Sequence, residues 1–266
     1  MPKEAIDWER VKAALFQSER RYQFQGRAEA VMEILPALIG VCGDFSATRK
    51  MAYRVGEILL QETPVIIAPS CPDYGYENGR YTFRGLQGGV SLVAQCHIAF
   101  IEKIQEFLPK VKPFILYADH EADDPELCAR VGKTREEFLA LVQNSITETR
   151  AMVESKGWKA KMMTEEIPDL VAQEHAYATQ IASEPNYRQR ITTDTTARAE
   201  MYQRINGRLT FEEMRMRTIA TAAQYVAMGQ YATRQKYLIC NHTTVNLASW
   251  YLQTGAAVLH NPVSVY

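Results

Sequence analysis

Paired cysteines are the first thing this sequence lacks. Its five cysteines, Cys42, Cys71, Cys96, Cys128 and Cys240, are scattered and never form a C-x-x-C pair. That spacing argues against a disulfide framework or a structural zinc site and fits a reduced compartment. Charge excess of either sign is missing too: 30 basic residues face 31 acidic ones, for a formal net charge of -1. A globally basic nucleic-acid binder is thereby excluded, although a local basic patch is not. No apolar run is long enough to span a bilayer, and the first ten residues have no signal-peptide core, so a cytoplasmic protein without membrane partners is expected. Walker, G-x-G-x-x-G and H-E-x-x-H motifs are absent, and P-loop, dinucleotide and zinc-protease readings lose their usual support.

What the sequence does have is alternation. With 266 residues, 47% of them hydrophobic, the chain can bury one sizeable core. Short apolar runs read as buried strands at 37–41, 64–69, 113–119, 158–163 and 237–240, with 257–259 and 263–265 closing an edge. Helical spacing fills the intervals. Trp8, Val11, Leu15 and Phe16, then Val31, Ile34 and Leu35, describe a helical lead-in over 1–35. Met51, Val55, Ile58 and Leu59 share one face of a helix beginning near Ser46. An apolar helix from Val90 to Phe107 carries His97, read as a core residue. Thr134-Arg-Glu-Glu137 has the form of a capping box and opens a long helix to about Ser155. Asn78-Gly79, between the aromatic residues Tyr76, Tyr81 and Phe83, predicts a hairpin or long loop within 73–89 that serves as a lid, pocket wall or plain loop. This order predicts an α/β fold: a single Rossmann-like domain over 1–266, with a mostly parallel central sheet of about five strands and helices on both faces.

In such a sheet ligands sit at the carboxyl ends of the strands. Three chemistry-bearing stretches fall there. Cys42 and Asp44 follow the run at 37–41, with Ser46 as an N-cap. Asp119-His-Glu-Ala-Asp-Asp124 follows the run at 113–119, and Asn241-His-Thr-Thr-Val-Asn246 follows the run at 237–240. Asp119 and Glu121 have the hard oxygens that hold Mg²⁺ or Mn²⁺ and orient a diphosphate; alternatively the carboxylates grip a substrate amine, or simply begin a helix. From Tyr187 to Arg217 arginines outnumber acids.

Taken in order, these stretches resemble the cyclodipeptide synthases, which are related to the catalytic domain of class Ic aminoacyl-tRNA synthetases. Ala37-Leu-Ile-Gly-Val matches the family's first strand, with Cys42 at the position of its nucleophilic serine. Tyr117-Ala-Asp119, the acids after it, Gly132-Lys-Thr134 and the capped helix follow in the family's sequence. Tyr225 and the Cys240-Asn-His242 strand end complete it. Four departures stand beside these matches. Gly229, followed by Gln230, occupies the place of the catalytic glutamate one turn after the tyrosine. Asn241 replaces a tyrosine, Phe45 replaces an asparagine common in the family, and the helix from Thr134 is acidic where the family's is basic. Segment 63–110 is an inserted strand, loop and helix relative to the family.

The resemblance implies an aminoacyltransferase that takes an aminoacyl group from aminoacyl-tRNA onto Cys42 and passes it to an amine, with no cofactor. It implies Cys42, Tyr225 and His242 as catalytic residues, and Asp44, Tyr117, Asp119, Gln230 and Asn241 as contacts to a small amino-acid substrate. Arg204, Arg208, Arg215 and Arg217 would supply the tRNA phosphate contacts that an acidic helix cannot. Two other readings remain open: a metal-dependent nucleotide or nucleotide-sugar transferase using Asp119 and Glu121, and a non-catalytic α/β binding protein.

Overall fold

The computed structural model describes residues 8–22, 27–40, 49–70, 74–77, 80–83, 90, 92–123, 128, 132–205, 210–241 and 245–260. Three helices come first: α1 (Trp8–Tyr22), α2 (Arg27–Gly40) and α3 (Arg49–Leu59). Strand β1 (Val65–Ser70) leads into a hairpin, β2 (Tyr74–Glu77) and β3 (Arg80–Phe83), and then into α4 (Leu92–Phe107). Strand β4 (Lys112–Tyr117), a 3-10 turn at His120–Asp123, and helix α5 (Arg135–Val153) follow. Next come β5 (Lys159–Met162), the single turn α6 (Met163–Glu166), and helices α7 (Leu170–Ser183), α8 (Pro185–Ile205) and α9 (Phe211–Gln235). Strand β6 (Leu238–Asn241), helix α10 (Val245–Gln253) and strand β7 (Ala257–His260) end the described chain.

Five strands form one sheet in the order β5-β4-β1-β6-β7, every neighbouring pair parallel. Renumbered within the sheet this is 3-2-1-4-5, the doubly wound order whose direction reverses between its first and fourth strands. The molecule is therefore a single Rossmann-like α/β domain. Alternate side chains of each strand enter opposite layers, as a pleated strand requires. Ile66, Ala68, Ile115, Tyr117, Leu238, Cys240 and Leu259 pack beneath α1 to α5. Ile67, Phe114, Leu116, Ile239 and Val258 pack beneath α7, α9 and α10. Burying one such aliphatic side chain contributes roughly 1.5–3 kcal/mol, so both layers hold the sheet between them. No helix among the described residues is long and apolar enough to cross a membrane.

One expected strand is a helix. Residues 37–41 read as a buried strand, but the chain is helical through Gly40. The reason lies upstream: Ala28, Val31 and Leu35 recur at helical spacing and are fully buried, on a helix packed against α1, α3 and β7. A helix already anchored on that face continues through a short apolar run whose own pattern suits either state. The fifth strand is instead β7, which the sequence assigns to an edge. Segment 63–110, an insertion by the resemblance, carries β1 at the centre of the sheet. The hairpin lies where Asn78-Gly79 predicts it, with Glu77 opposite Arg80.

Candidate functional site

The carboxyl edge of the sheet gathers buried polar groups. Ser70 ends β1, Asn241 ends β6, and Asp119 and His120 follow β4; all are buried. Their burial follows from the strands themselves, which are apolar to their last residues and carry these groups down into the crevice. Asp119 does more than line it. Its carboxylate accepts a hydrogen bond from the Thr164 backbone N–H at 3.1 Å and a second, short one from the Thr164 hydroxyl. Those two bonds tie the end of β4 to the start of α6, just beyond β5.

His120 is the least expected member. Its side chain is 6% exposed, and its hydrogen-bonding neighbour is the side chain of Gln224. Nε2 stands 3.6 Å from Glu174 Oε1 on α7. Burial pushes the imidazole down to about 4; the charges of Asp119 and Asp123 and the side chain of Gln224 on α9 only partly offset it. His120 is thus neutral at neutral pH, facing acids on three elements. Gln224 adjoins Tyr225, so the end of β4 and the tyrosine-bearing stretch of α9 meet at this imidazole.

A cleft of about 470 Å³ opens beside these groups, between the β4 and β5 ends and the first turns of α5. Asp119, His120, Thr164, Arg135 and Gln143 supply its polar wall, and Leu139 and Met162 its apolar one. Arg135 Nε lies 2.6 Å from Asp123 Oδ1, an exposed ion pair at the mouth. The Thr134 capping box is formed on both sides: its hydroxyl accepts from the Glu137 N–H, and the Glu137 carboxylate accepts from the Thr134 N–H. That cap fixes where α5 starts and therefore where Arg135 stands.

Other expected site residues are placed differently. Tyr117, expected to touch substrate, is fully buried, its hydroxyl 2.8 Å from Thr149 Oγ1 and 3.3 Å from Ser145 Oγ on α5. It points into the α5 layer because pleating sends residue 117 to that side. Tyr225 is half-buried on α9 and packs on Tyr251 of α10, with ring centroids 4.5 Å apart. Gln230 lies on the same helix, half-buried. Gly229, between them, is buried where an added Cβ would meet Thr254 Oγ1 at 2.5 Å. A glutamate therefore has no room at this position. Arg215 is held by Glu212 on its own helix at 2.7 Å, and Arg217 is partly buried. Arg204 belongs to α8, but its side chain falls outside the described residues, as do Arg208, Cys42, Asp44 and His242. Glu121 lies in the 3-10 turn, its side chain likewise undescribed.

For the metal reading, both Asp119 oxygens are already engaged by Thr164, and no group of three or more candidate ligands clusters among the described residues. His97 is the core residue expected: its Nδ1 lies 3.1 Å from Cys240 Sγ, and both side chains are fully buried. His120, Glu174 and Gln224 have no role in the sequence reading. The sequence signal for His120 is its place directly after Asp119 at a strand end; for Glu174 and Gln224, on distant helices, there is none. The fold and this edge define an α/β protein with a polar crevice at the carboxyl ends of a doubly wound parallel sheet. The chain matches no family model, no curated protein and no solved structure.

Proposed function

We propose that the chain is a group-transfer enzyme working at the carboxyl edge of its sheet, and more specifically an aminoacyltransferase using aminoacyl-tRNA. The observation that carries the reading is the convergence of Ser70, Asp119, His120 and Asn241, all buried, at adjacent strand ends around the point where strand order reverses. Further support comes from element type. Tyr117 to Asp119 close a strand, Thr134 caps a long helix, and Tyr225 lies on the helix before the strand that ends at Asn241. From Tyr117 onward these elements follow the order of the cyclodipeptide synthase resemblance, while the stretch matched to its first strand is helical through Gly40.

In this reading the Cys42 thiol gives up its proton as its sulfur attacks the ester carbon of the charged tRNA; the ester C–O bond breaks, and that proton passes to the departing ribose oxygen. An amine then attacks the thioester, forming the amide and releasing the thiol. A glutamate base at 229 is sterically barred. Among the described residues at this edge, the neutral imidazole of His120, next to Gln224, is the group placed to receive the amine's proton.

The test is intact-protein mass spectrometry after incubation with mixed aminoacyl-tRNAs, wild type beside Cys42→Ala. One added aminoacyl residue on the wild type alone is the expected result. No adduct on the wild type, together with no amide product in solution, overturns aminoacyl transfer.

A further inference from the structure

A second cleft, of about 370 Å³, lies between α8 and α10 and shares no residue with the first. Arg190 and Asp194 stand one turn apart on α8, the spacing at which a guanidinium and a carboxylate commonly close a hydrogen-bonded pair. Here they do not, for Arg190 Nε is 3.9 Å from Asp194 Oδ2. Trp250 of α10, fully buried, engages both groups separately. Its ring carries the guanidinium, with Cζ 3.6 Å from the centroid, and its Nε1–H donates to Asp194 Oδ2 at 3.1 Å.

Both charged groups keep hydrogen-bonding capacity. A guanidinium has five N–H donors; Arg190 gives one to Ser249 Oγ, and the rest have no hydrogen-bond acceptor among the described residues. Burial lowers its pKa by more than the charges of Asp194 and Tyr187 raise it, so the protein leaves this cation under-compensated. Asp194 is 6% exposed, yet its Oδ1 takes no hydrogen bond among the described residues and is not sealed from solvent. An unfilled donor fork and an unfilled acceptor thus line the cleft side by side, opposite in charge and both fixed by one buried indole.

The ligand that answers this pattern carries an anion and a cation close together. Phosphate is repelled by Asp194 and a simple amine by Arg190, whereas a zwitterion meets both with charge-assisted bonds. A free α-amino acid holds its carboxylate and ammonium on one carbon, close enough to face two groups as near as Arg190 and Asp194. The volume lies at the small end of the range for small-molecule sites, and the remaining wall is polar. Asn186 and Gln189 supply carboxamides there, and the Thr193 hydroxyl, which donates to the Gln189 carbonyl at 3.0 Å, keeps its oxygen as an acceptor. We propose that this cleft binds a free α-amino acid with a polar side chain, its carboxylate on Arg190, its ammonium on Asp194 and its side chain along Asn186, Gln189 and Thr193. The site rests on these residues alone and not on the aminoacyl-transfer reading.

Isothermal titration of the wild-type protein with L-serine, L-asparagine and L-glutamine tests this. The N-acetyl and carboxamide derivatives of the tightest binder then remove the ammonium and the carboxylate in turn. At least one of the three amino acids should bind saturably, and each derivative should bind at least about tenfold more weakly, the effect of losing one hydrogen bond between charged groups. Asp194→Asn, which keeps an oxygen for the Trp250 N–H, should lose the preference over the N-acetyl derivative; Arg190→Gln should lose the preference over the carboxamide. In the wild type, saturation should move the Trp250 indole N–H resonance, because Asp194 accepts from it. Binding of none of the three amino acids overturns the proposal, as does equal affinity for an amino acid and either derivative. Binding that leaves the resonances of all 3 tryptophan indoles in place puts the ligand elsewhere and overturns it too. Tighter binding of inorganic phosphate or of ethylammonium than of any of the three overturns it in favour of a site for a single charge.

Discussion

At the scale of single residues, His120 and Gly229 show how much one side chain decides. A buried neutral imidazole costs stability once it must take up a proton. Its folded value, about 4, lies below the ordinary 6.5, so the unfolded chain binds more protons between those limits. Its contribution is accordingly complete above pH 6.5, declines as the pH falls toward 4, and is absent below. The whole effect is on the order of 3 kcal/mol, because each tenfold change in proton affinity corresponds to about 1.4 kcal/mol. Asp119, Asp123 and Glu174 face the same imidazole, so the test compares two proteins and not two pH values alone. Urea unfolding at pH 7 and pH 4.5 should show the wild type losing more stability than His120→Phe. Equal losses would mean that the imidazole is not held neutral by burial.

Gly229 supplies the second residue-scale expectation. Thr254 fills the space where a side chain would begin, and its own hydroxyl is bonded to the Tyr251 carbonyl at 2.6 Å. Gly229→Ala should destabilise the protein by about 1–3 kcal/mol, the usual cost of overpacking a tight site. Gly229→Glu should cost more, because the carboxylate would be buried without a partner. Thermal melts of the two variants give the ranking. A Gly229→Glu protein as stable as wild type would show that α9 and α10 separate readily there.

Elements obey their local sequence where that sequence carries a specific mechanism, and yield to packing where it does not. The Thr134 and Thr210 capping boxes both form, and each starts its helix at the next residue. Residues 37–40 carry no comparable signal. Being apolar, they suit a strand or a buried helix, and the anchored face of α2 decides for helix. The consequence reaches the site reading, since the run expected to end in a strand before Cys42 is helical through Gly40, and Cys42 itself lies outside the described residues. The mass-spectrometric comparison of wild type with Cys42→Ala is therefore also a test at this scale: acylation there would show that the thiol is delivered without a strand over 37–40. Tyr117 shows the opposite case. It is where a strand is expected, but the register of β4 turns its hydroxyl to α5 and away from the crevice.

For the whole molecule, strand order sets a gradient of protection. β1 has β4 and β6 on its two sides, helices lie above and below it, and it is buried from Ile66 to Ser70. β5 and β7 are the edges, each with one paired neighbour. Amide hydrogen exchange should be slowest in β1, β4 and β6, where opening requires near-global unfolding, and measurably faster in β5 and β7. Slowest exchange in the α8 and α9 helices instead would mean that the outer cluster of Ile181, Ile191, Ile219 and Trp250, and not the sheet, is the last part to open.

The same division separates what the sequence by itself determined from what only tertiary structure decided. Alternating short apolar runs and helical periods were enough for an α/β class, a parallel sheet of about five strands and the capped helix at Thr134, because each of those signals is local. Asp119 was legible because it follows an apolar run directly. The helical state of residues 37–40, the central place of β1 and the inward turn of Tyr117 were not legible, since each depends on which elements touch across the core. The same holds for the group around His120. Asp119 and His120 come from the end of β4, Glu174 from α7 and Gln224 from α9, distant parts of the chain that only its winding around the sheet brings to one imidazole.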